Sequence, residues 1–472
     1  MENEAGLGIL SLLPVIVALI LAFYTRNAIF SLLIGCIIGV VLPGHNPVTG
    51  FTTLTMDALG NRDFIWVMMI EITVGIMIAL YMRVGVIDAF TKLALLKIKS
   101  RKSTLGFTWL MGIFIFFSDY FSPLFCGPIC RPVTDKYKVS REMLSYLLDS
   151  GSGPVCTIVP LSGWSVFIAA LLVGYGPIDS VEKGMQLFIS AIPLNFYGWI
   201  AVTLAGLFAF QLIPHFGPMR KAELRAINEG KVLRDGATPL TGEEFNLIAT
   251  IEGKRPNLVV YLFVPVLIIV LIALTTFFVI GSSKILEAFL CAATYLIIAM
   301  TFGKYFNGVK DAMELIINGI KAVLPAVLIL AMAYCINSVS KSLGAQEYII
   351  EITKSWMTPF LIPVAAFVTA GAISFFTGTS WGSYAIVIPF IMPIAFNMSD
   401  GTVNSLVLIT VGAIVGGGLF GDHCSPVSDT SCLSSFGAGA DHMDHVSTQL
   451  PYAIVGAVLA IGLYISAMFF LM

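Results

Sequence analysis

The chain has 472 residues, of which 57% are hydrophobic and only 11% are charged, and its mean hydropathy is +0.92. Roughly 25% of the residues of an ordinary soluble domain are charged, so this composition excludes a water-soluble protein of this size. A net charge of −2 gives no indication of nucleic-acid binding. The first partner that the sequence predicts is therefore the lipid bilayer.

A hydrocarbon core about 30 Å thick needs roughly 20 apolar residues per helix. The segment before the first apolar run is acidic, whereas a signal peptide begins with basic residues, so this run is expected to be a retained span. The apolar runs predict an all-α polytopic membrane protein with about ten transmembrane helices, at 7–25, 28–42, 64–82, 143–174, 184–213, 258–280, 285–302, 316–336, 405–436 and 449–472.

Two further apolar stretches, 105–130 and 357–396, are interrupted centrally by polar residues. The segments on both sides of the first stretch, 83–104 and 131–141, are rich in Lys and Arg and are therefore expected in the cytoplasm. The first stretch is thus predicted to enter and leave the membrane on the same side, as a re-entrant hairpin. The flanks of the second stretch carry little net positive charge, so that hairpin is predicted to enter from the outside, where both termini also fall.

This topology contains a repeat, because each half has three spans, a hairpin and two further spans. Five crossings per half are an odd number, so the second half (236–472) is predicted to be inverted relative to the first (1–235). Residues 149–155 (DSGSGPV) resemble 422–427 (DHCSPV), and 116–119 (FFSD) resemble 375–378 (FFTG). Inverted repeats of this kind are typical of secondary transporters with alternating access.

Four aspartates lie where the predicted helices or hairpins are interrupted: Asp119, Asp149, Asp422 and Asp429. Charged groups at membrane depth are costly and persist where they face a partner or water. These interruptions contain no Lys or Arg, so the cluster favours binding of a cation over an anion. Glu71 lies inside the span 64–82 and is either functional or a structural partner of another buried polar group.

Glycine and proline in both broken spans release backbone carbonyls, which are tolerated only inside protein or beside water. Carbonyls, hydroxyls and a carboxylate form an oxygen shell suited to a hard cation. We expect Na⁺ at Asp149 and Asp422, while helix N-termini at the hairpin tips would alternatively attract an anionic group. The candidate hydroxyls for the cation, the proton or an organic substrate are Ser118, Ser150, Ser152, Thr377, Thr379, Ser380, Ser425, Ser428 and Thr430.

Enzyme motifs are missing from the sequence. It has no P-loop and no HExxH, and Leu419 replaces the glycine that an intramembrane aspartyl protease motif requires before Gly421-Asp422. The segment 441–445 (DHMDH) looks like a metal site but is interpreted as a solvated loop that caps the next helix. We expect no enzyme activity and no cofactor apart from Na⁺ as a coupling ion, and a passive channel is kept as a third alternative.

Several of these segments resemble the NhaC sodium/proton antiporter family of the ion-transporter superfamily. The resemblance extends from about residue 60 to the C-terminus and is carried by 131–137 (RPVTDKY), 140–142, 149–150, 421–430 (GDHCSPVSDT) and 448–452 (TQLPY). It implies sodium-dependent transport, with a scaffold domain interleaved with a mobile transport domain that contains both hairpins. Relatives in this family also include organic-acid and amino-acid carriers.

The sequence therefore predicts a cell-membrane antiporter that exchanges Na⁺ for H⁺ by elevator-type alternating access. The alternative is Na⁺- or H⁺-coupled transport of a small organic acid or amino acid, because the two glycines Gly151 and Gly153 would widen the first break. The oligomeric state is open, with a homodimer as one alternative.

The topology can be tested by labelling single cysteines placed at Lys99 and Lys138 in a cysteine-free variant. A membrane-impermeant thiol reagent added outside should label neither position, since both basic flanks are expected in the cytoplasm. Labelling of one position alone would make 105–130 a true span and contradict the inverted repeat.

Overall fold

The computed structural model of the chain describes residues 7–25, 27–116, 119–160, 162–241, 248–251, 254–280, 284–354 and 357–471. Within these ranges the regular structure is helical, and the only pairing of extended residues is an isolated bridge between Pro239 and Asp441. The predicted all-α fold is confirmed.

The first part of the chain forms the helices α1 (Leu13–Thr25), α2 (Ala28–Val41), α3 (Pro47–Leu59), α4 (Arg62–Val84), α5 (Val86–Lys97), α6 (Arg101–Phe114), α7 (Phe121–Lys136), α8 (Arg141–Ser150), α9 (Gly153–Ile158), α10 (Gly163–Leu171), α11 (Val181–Ala191), α12 (Phe196–Ala209) and α13 (Gly217–Glu229). Short 3-10 turns lie at Gly8–Leu12 and Ile192–Leu194.

The second part begins with a π-helical turn at Val259–Phe263. It continues with α14 (Val264–Ile280), α15 (Ile285–Phe302), α16 (Val309–Ser342), α17 (Ala345–Thr353), α18 (Ile362–Thr377), α19 (Ser380–Asn397), α20 (Ser405–Cys424), α21 (Asp429–Ala438) and α22 (His442–Leu471).

Seven of the described helices are long and apolar enough to cross a membrane, and the bent pair Val181–Leu194 and Phe196–Ala209 would make an eighth. The chain is therefore a multi-pass membrane protein, as predicted. The sequence-based count of about ten stays a prediction, because several apolar stretches form shorter helices than one bilayer crossing requires. The stretch 143–174, for example, is divided among α8, α9 and α10.

The same order of elements occurs twice along the chain. The first series is the long helix α4, the short helix α5, the pair α6–α7 joined at a polar tip, and the broken helix α8–α9. The second series has the same order: the long helix α16, the short helix α17, the pair α18–α19 and the broken helix α20–α21. In both series a glycine with positive φ separates the long helix from the short one, namely Gly85 (+80°) and Gly344 (+74°). This order is what a repeat requires; the inverted orientation of its halves and the re-entrant nature of the hairpins stay predictions.

The short helices α3, α5, α13 and α17 were not predicted from the apolar runs. Each has only 9 to 13 residues and includes charged or polar side chains. A search for bilayer-length apolar segments therefore leaves them in the connections between spans.

The centre of the molecule is built from α20, α21 and the first turns of α22, where nearly every residue from 406 to 449 is buried. Close helix contacts hold this centre to its neighbours through glycines. A Cβ at Gly437 of α21 would collide with the carbonyl oxygen of Pro123 in α7, and one at Gly421 of α20 would collide with the carbonyl oxygen of Gly371 in α18. Small residues let the helix backbones approach this closely inside a membrane protein.

Gly437→Ala should destabilise the protein by about 1–3 kcal/mol, because the added methyl group must push α7 away from α21. The measurement is the midpoint of thermal unfolding of the purified protein in detergent. Gly462→Ala is the matched control, since a methyl group on Gly462 of α22 would point into open space. An unchanged midpoint for Gly437→Ala would show that the α7–α21 contact is loose.

Candidate functional site

Two helix breaks meet at the centre of the protein. The first lies between α8 and α9, where Gly151 and Ser152 separate the two helices and Pro154 lies in the first turn of the second. The second lies between α20 and α21, where Pro426 removes a backbone donor from the connecting segment. Because α8 packs against α21, the aspartates at both breaks are brought into one buried region.

Asp422 lies in the last turn of α20 and is 4% exposed. Its carboxylate accepts hydrogen bonds from two hydroxyls, Ser380 Oγ at 2.5 Å and Ser428 Oγ at 2.6 Å. Ser380 begins α19 at the tip of the second predicted hairpin, and Ser428 caps α21. The hairpin tip and the helix break thus converge on the same carboxylate.

Asp149 lies near the end of α8 and is 1% exposed. Its Oδ2 atom accepts hydrogen bonds from Gln449 Nε2 at 2.6 Å and Ser431 Oγ at 2.9 Å, and it lies 3.3 Å from His445 Nε2. These three partners belong to α21 and α22. The carboxylate from the first half of the chain is therefore held by side chains from the second half.

Asp429 and Asp119 form the other side of the cluster, and both are buried. Asp429 accepts hydrogen bonds from Tyr120 OH and from the backbone N–H of Thr430, both at 2.8 Å. Asp119 Oδ1 accepts one from the backbone N–H of Tyr120 at 3.2 Å, while its Oδ2 atom has no partner among the described residues. Asp429 is close enough to interact electrostatically with both Asp119 and Asp422.

The cluster has no strong positive counter-charge. Among the ion pairs of the described residues, the one that involves these four aspartates joins Asp149 to His445, and none joins them to Lys or Arg. Neutral donors satisfy carboxylate oxygens but leave the negative charge uncompensated. The arrangement therefore suits a bound cation, or protons on the carboxylates.

The predicted hydroxyls divide into two groups. Ser380, Ser428 and Thr430 surround Asp422, with Thr430 Oγ1 3.0 Å from Ser428 Oγ. The other described hydroxyls have different partners. Ser150 Oγ lies 3.1 Å from His423 Nε2, and Thr379 caps α19. The remaining three donate to backbone carbonyls: Ser152 to Asp149, Ser425 to Phe375 and Thr377 to Ile373. Ser118 lies outside the described residues.

The site contains polar residues that the sequence did not identify. His445 and Gln449 bind Asp149, Tyr120 binds Asp429, and His423 lies between Ser150 and Tyr197 OH, which is 2.9 Å from its Nδ1 atom. The segment 441–445 was interpreted as a solvated cap, but His442 and His445 are 2% and 0% exposed. His442, His445 and Gln449 follow one another at positions i, i+3 and i+7, which places them on one face of α22. This spacing was the signal available in the sequence.

A cavity of about 180 Å³ adjoins the cluster. It is lined by Asp429, by the second hairpin tip from Thr377 to Gly382, and by Asn337 and Lys341 of α16. Among the described residues, no group of three or more His, Cys, Asp or Glu side chains is arranged to hold a metal ion. Any cation at Asp422 would therefore rely on hydroxyl and carbonyl oxygens as well as carboxylate.

Comparison with known proteins identifies a matching family and several similar proteins. A family model described as the Na⁺/H⁺ antiporter family matches residues 177–468. An uncharacterised protein of Haemophilus influenzae is 31% identical over 474 residues, covering 96% of this chain and 89% of that protein.

Two relatives have described activities. The Na⁺/H⁺ antiporter NhaC of Alkalihalophilus pseudofirmus is 26% identical over 195 residues (41% of this chain, 40% of that protein), and a malate-2H⁺/Na⁺-lactate antiporter of Bacillus subtilis is 31% identical over 155 residues (33% and 32%). The matched region spans less than half the length of either of these two relatives.

Ser428→Ala and Ser380→Ala should each weaken Na⁺ binding by about tenfold, because each substitution removes a hydroxyl oxygen that would ligate the ion beside Asp422. The measurement is the rise of the unfolding midpoint with Na⁺ concentration, compared with K⁺ at equal ionic strength.

Ser340→Ala is the matched control. Its hydroxyl is also fully buried, but it donates to the Ile336 carbonyl within α16. Equal Na⁺ responses in the three variants and the wild type would exclude the Asp422 region as the cation site.

Proposed function

The chain belongs to the Na⁺/H⁺ antiporter family and is a secondary antiporter of the plasma membrane, and we propose that it exchanges Na⁺ for H⁺ at Asp149 and Asp422. The single observation that supports this most directly is the buried cluster of Asp119, Asp149, Asp422 and Asp429, which has no Lys or Arg partner among the described residues. We propose transport as the whole activity, with no enzymatic step and with Na⁺ as the only coupling ion besides the proton.

The hydroxyls around Asp422 suit an exchange of two cations. Ser380 and Ser428 donate to the carboxylate when no ion is bound. Each hydroxyl can rotate so that its lone pairs face a Na⁺ ion beside the carboxylate, since a hydroxyl both donates and accepts. A proton on Asp422 would neutralise the carboxylate that Na⁺ needs, so Na⁺ and H⁺ compete for it. The site would therefore carry Na⁺ in one direction across the membrane and a proton in the other.

Both hairpins and both broken helices are proposed to move together as the transport domain of an elevator. The glycine contacts between α7 and α21 and between α18 and α20 support this, because closely packed backbones are expected to shift as one body. The long helices α4 and α16, which pack on each other through Gly75 and Gly319, are proposed as part of the scaffold. A homodimer stays one alternative for the oligomeric state.

A second candidate function is coupled transport of a small organic acid or amino acid. The cavity of about 180 Å³ beside Asp429 favours it, since a bare ion needs far less space. Lys341 and the N-terminus of α19 line this cavity and would attract a carboxylate. The resemblance of one segment to a malate/lactate antiporter agrees with this alternative.

The two functions are separated by proton flux in liposomes that contain only salts. A Na⁺ gradient should drive proton movement in wild-type liposomes, and Asp149→Asn and Asp422→Asn should each abolish it because they remove the titratable group. The apparent Na⁺ affinity should weaken as the pH falls, since protons compete for the same carboxylates.

Asp179→Asn is the control, since Asp179 is an exposed aspartate that pairs with Lys183. It should leave the flux unchanged. Proton movement that begins only after malate, lactate or an amino acid is added would contradict Na⁺/H⁺ exchange and support the second candidate.

A further inference from the structure

Glu71 is a fully buried carboxyl group outside the aspartate cluster. It lies near the middle of α4 and is 0% exposed. Within the part of the chain that the structure describes, neither Oε1 nor Oε2 has a hydrogen-bond partner. An ionised carboxylate without a partner is very costly to bury, so such a group either carries a proton or meets a partner in another conformation.

The surroundings of Glu71 can be located from the contacts of α4. Phe64 and Tyr334 pack edge to face with ring centroids 5.4 Å apart, and Gly75 lies against Gly319, so α4 and α16 run antiparallel. Glu71 of α4 therefore lies at the same height as Pro325, a proline in the interior of α16. A proline lacks the N–H group, which leaves the carbonyl one turn earlier in α16 without its helical donor.

A third helix completes the surroundings of Glu71. The Sγ atom of Cys432 in α21 lies 3.8 Å from the Ala326 carbonyl oxygen of α16, and Cys432 is close enough to Glu71 for electrostatic interaction. Glu71 thus lies where α4 and α16, the proposed scaffold, meet α21, which belongs to the proposed transport domain.

This junction is adjacent to the aspartate cluster. Cys432 follows Asp429 by about one turn of α21. A second set of contacts connects α4 with the aspartate cluster. Trp66 of α4 packs edge-on against Tyr120 with ring centroids 5.4 Å apart, and Tyr120 OH donates a hydrogen bond to Asp429. A movement of α21 past α4 would change the surroundings of Asp429 and Glu71 together.

The titratable group that faces Glu71 from the packed helices is the thiol of Cys432. Asp429, one turn from Cys432 on α21, is a buried carboxyl, while Lys321 of α16, Glu287 of α15, Asp57 of α3 and Asp88 of α5 are exposed. Arg83, at the end of α4, pairs with Asp311 of α16. None of the described basic side chains is therefore available to neutralise Glu71.

We propose that Glu71 is a second proton-binding site of this antiporter. It holds a proton in the present conformation, and it releases that proton to water when α21 moves away from α4 and α16 and opens the junction between them and α21. This inference rests on the proposed Na⁺/H⁺ exchange for its coupling, but the binding of the proton is independent of that function.

The first test is infrared difference spectroscopy of the purified wild-type protein between mildly acidic and alkaline solution. A protonated buried carboxyl gives a C=O band that disappears on deprotonation. Part of this signal should be lost in Glu71→Gln and retained in Glu287→Gln, a matched control on the exposed face of α15. Identical spectra for the wild type and Glu71→Gln would overturn the proposal.

The second test is the number of protons moved per Na⁺ in liposomes, which should fall in Glu71→Gln and stay unchanged in Glu287→Gln. A lost infrared band with unchanged proton coupling would overturn the transport role of Glu71. Absence of Na⁺-driven proton flux in the wild type would instead contradict the proposed function, while the infrared result would still decide proton binding.

Glu71→Asp covers the case in which Glu71→Gln fails to fold. This variant keeps a titratable group at the junction, so its C=O band should shift rather than vanish. An infrared spectrum of Glu71→Asp that matches the wild-type spectrum in every band would overturn the proposal.

Discussion

The structure depends on burying several carboxylates that have no Lys or Arg ion-pair partner among the described residues. Isolated charges in such surroundings are strongly disfavoured, and most proteins that bury them add a Lys or Arg partner. Here the oxygens of Asp149, Asp422 and Asp429 are met by hydroxyls, an amide, an imidazole, a phenol and a backbone N–H group. Neutral donors stabilise each carboxylate without cancelling its charge. The site therefore keeps an attraction for cations that an Arg or Lys partner would remove.

Stabilising buried carboxylates with neutral donors requires helix backbones that approach closely and helices that end inside the protein. The breaks at Gly151 and Pro426 place carboxylates, hydroxyls and free backbone groups at one depth, where an unbroken helix would have satisfied its own backbone. Glycines then let the hairpin helices touch the broken ones, as Gly421 does against Gly371. The high burial around α20 and α21 follows from the same need, since every freed polar group must find its partner within the protein.

The sequence was sufficient to predict the helical membrane fold and the aspartates, because hydropathy, helix-breaking residues and buried charges are all local signals. It was not sufficient to predict which donors reach which carboxylate. Ser425 and Ser428 are only three residues apart, yet one binds a backbone carbonyl of α18 and the other binds Asp422. Their directions depend on how α18 and α20 pack. His445 was missed for a related reason, because a polar segment after a loop resembles a helix cap until the contact between α8 and α22 is known.

Asp422 and Asp149 accept hydrogen bonds from different kinds of donor, and this difference affects how each carboxylate could bind a cation. Asp422 is bound by Ser380 and Ser428, whose hydroxyls can turn from donating to accepting without any movement of the backbone. Asp149 is bound by the amide nitrogen of Gln449, which can only donate, together with Ser431. Gln449, Ser431 and His445 all contact the Oδ2 atom of Asp149, whereas each carboxylate oxygen of Asp422 accepts from a hydroxyl that can rotate. The two carboxylates proposed for the exchange thus offer a cation different surroundings, with two rotatable hydroxyls at Asp422 and an amide donor at Asp149.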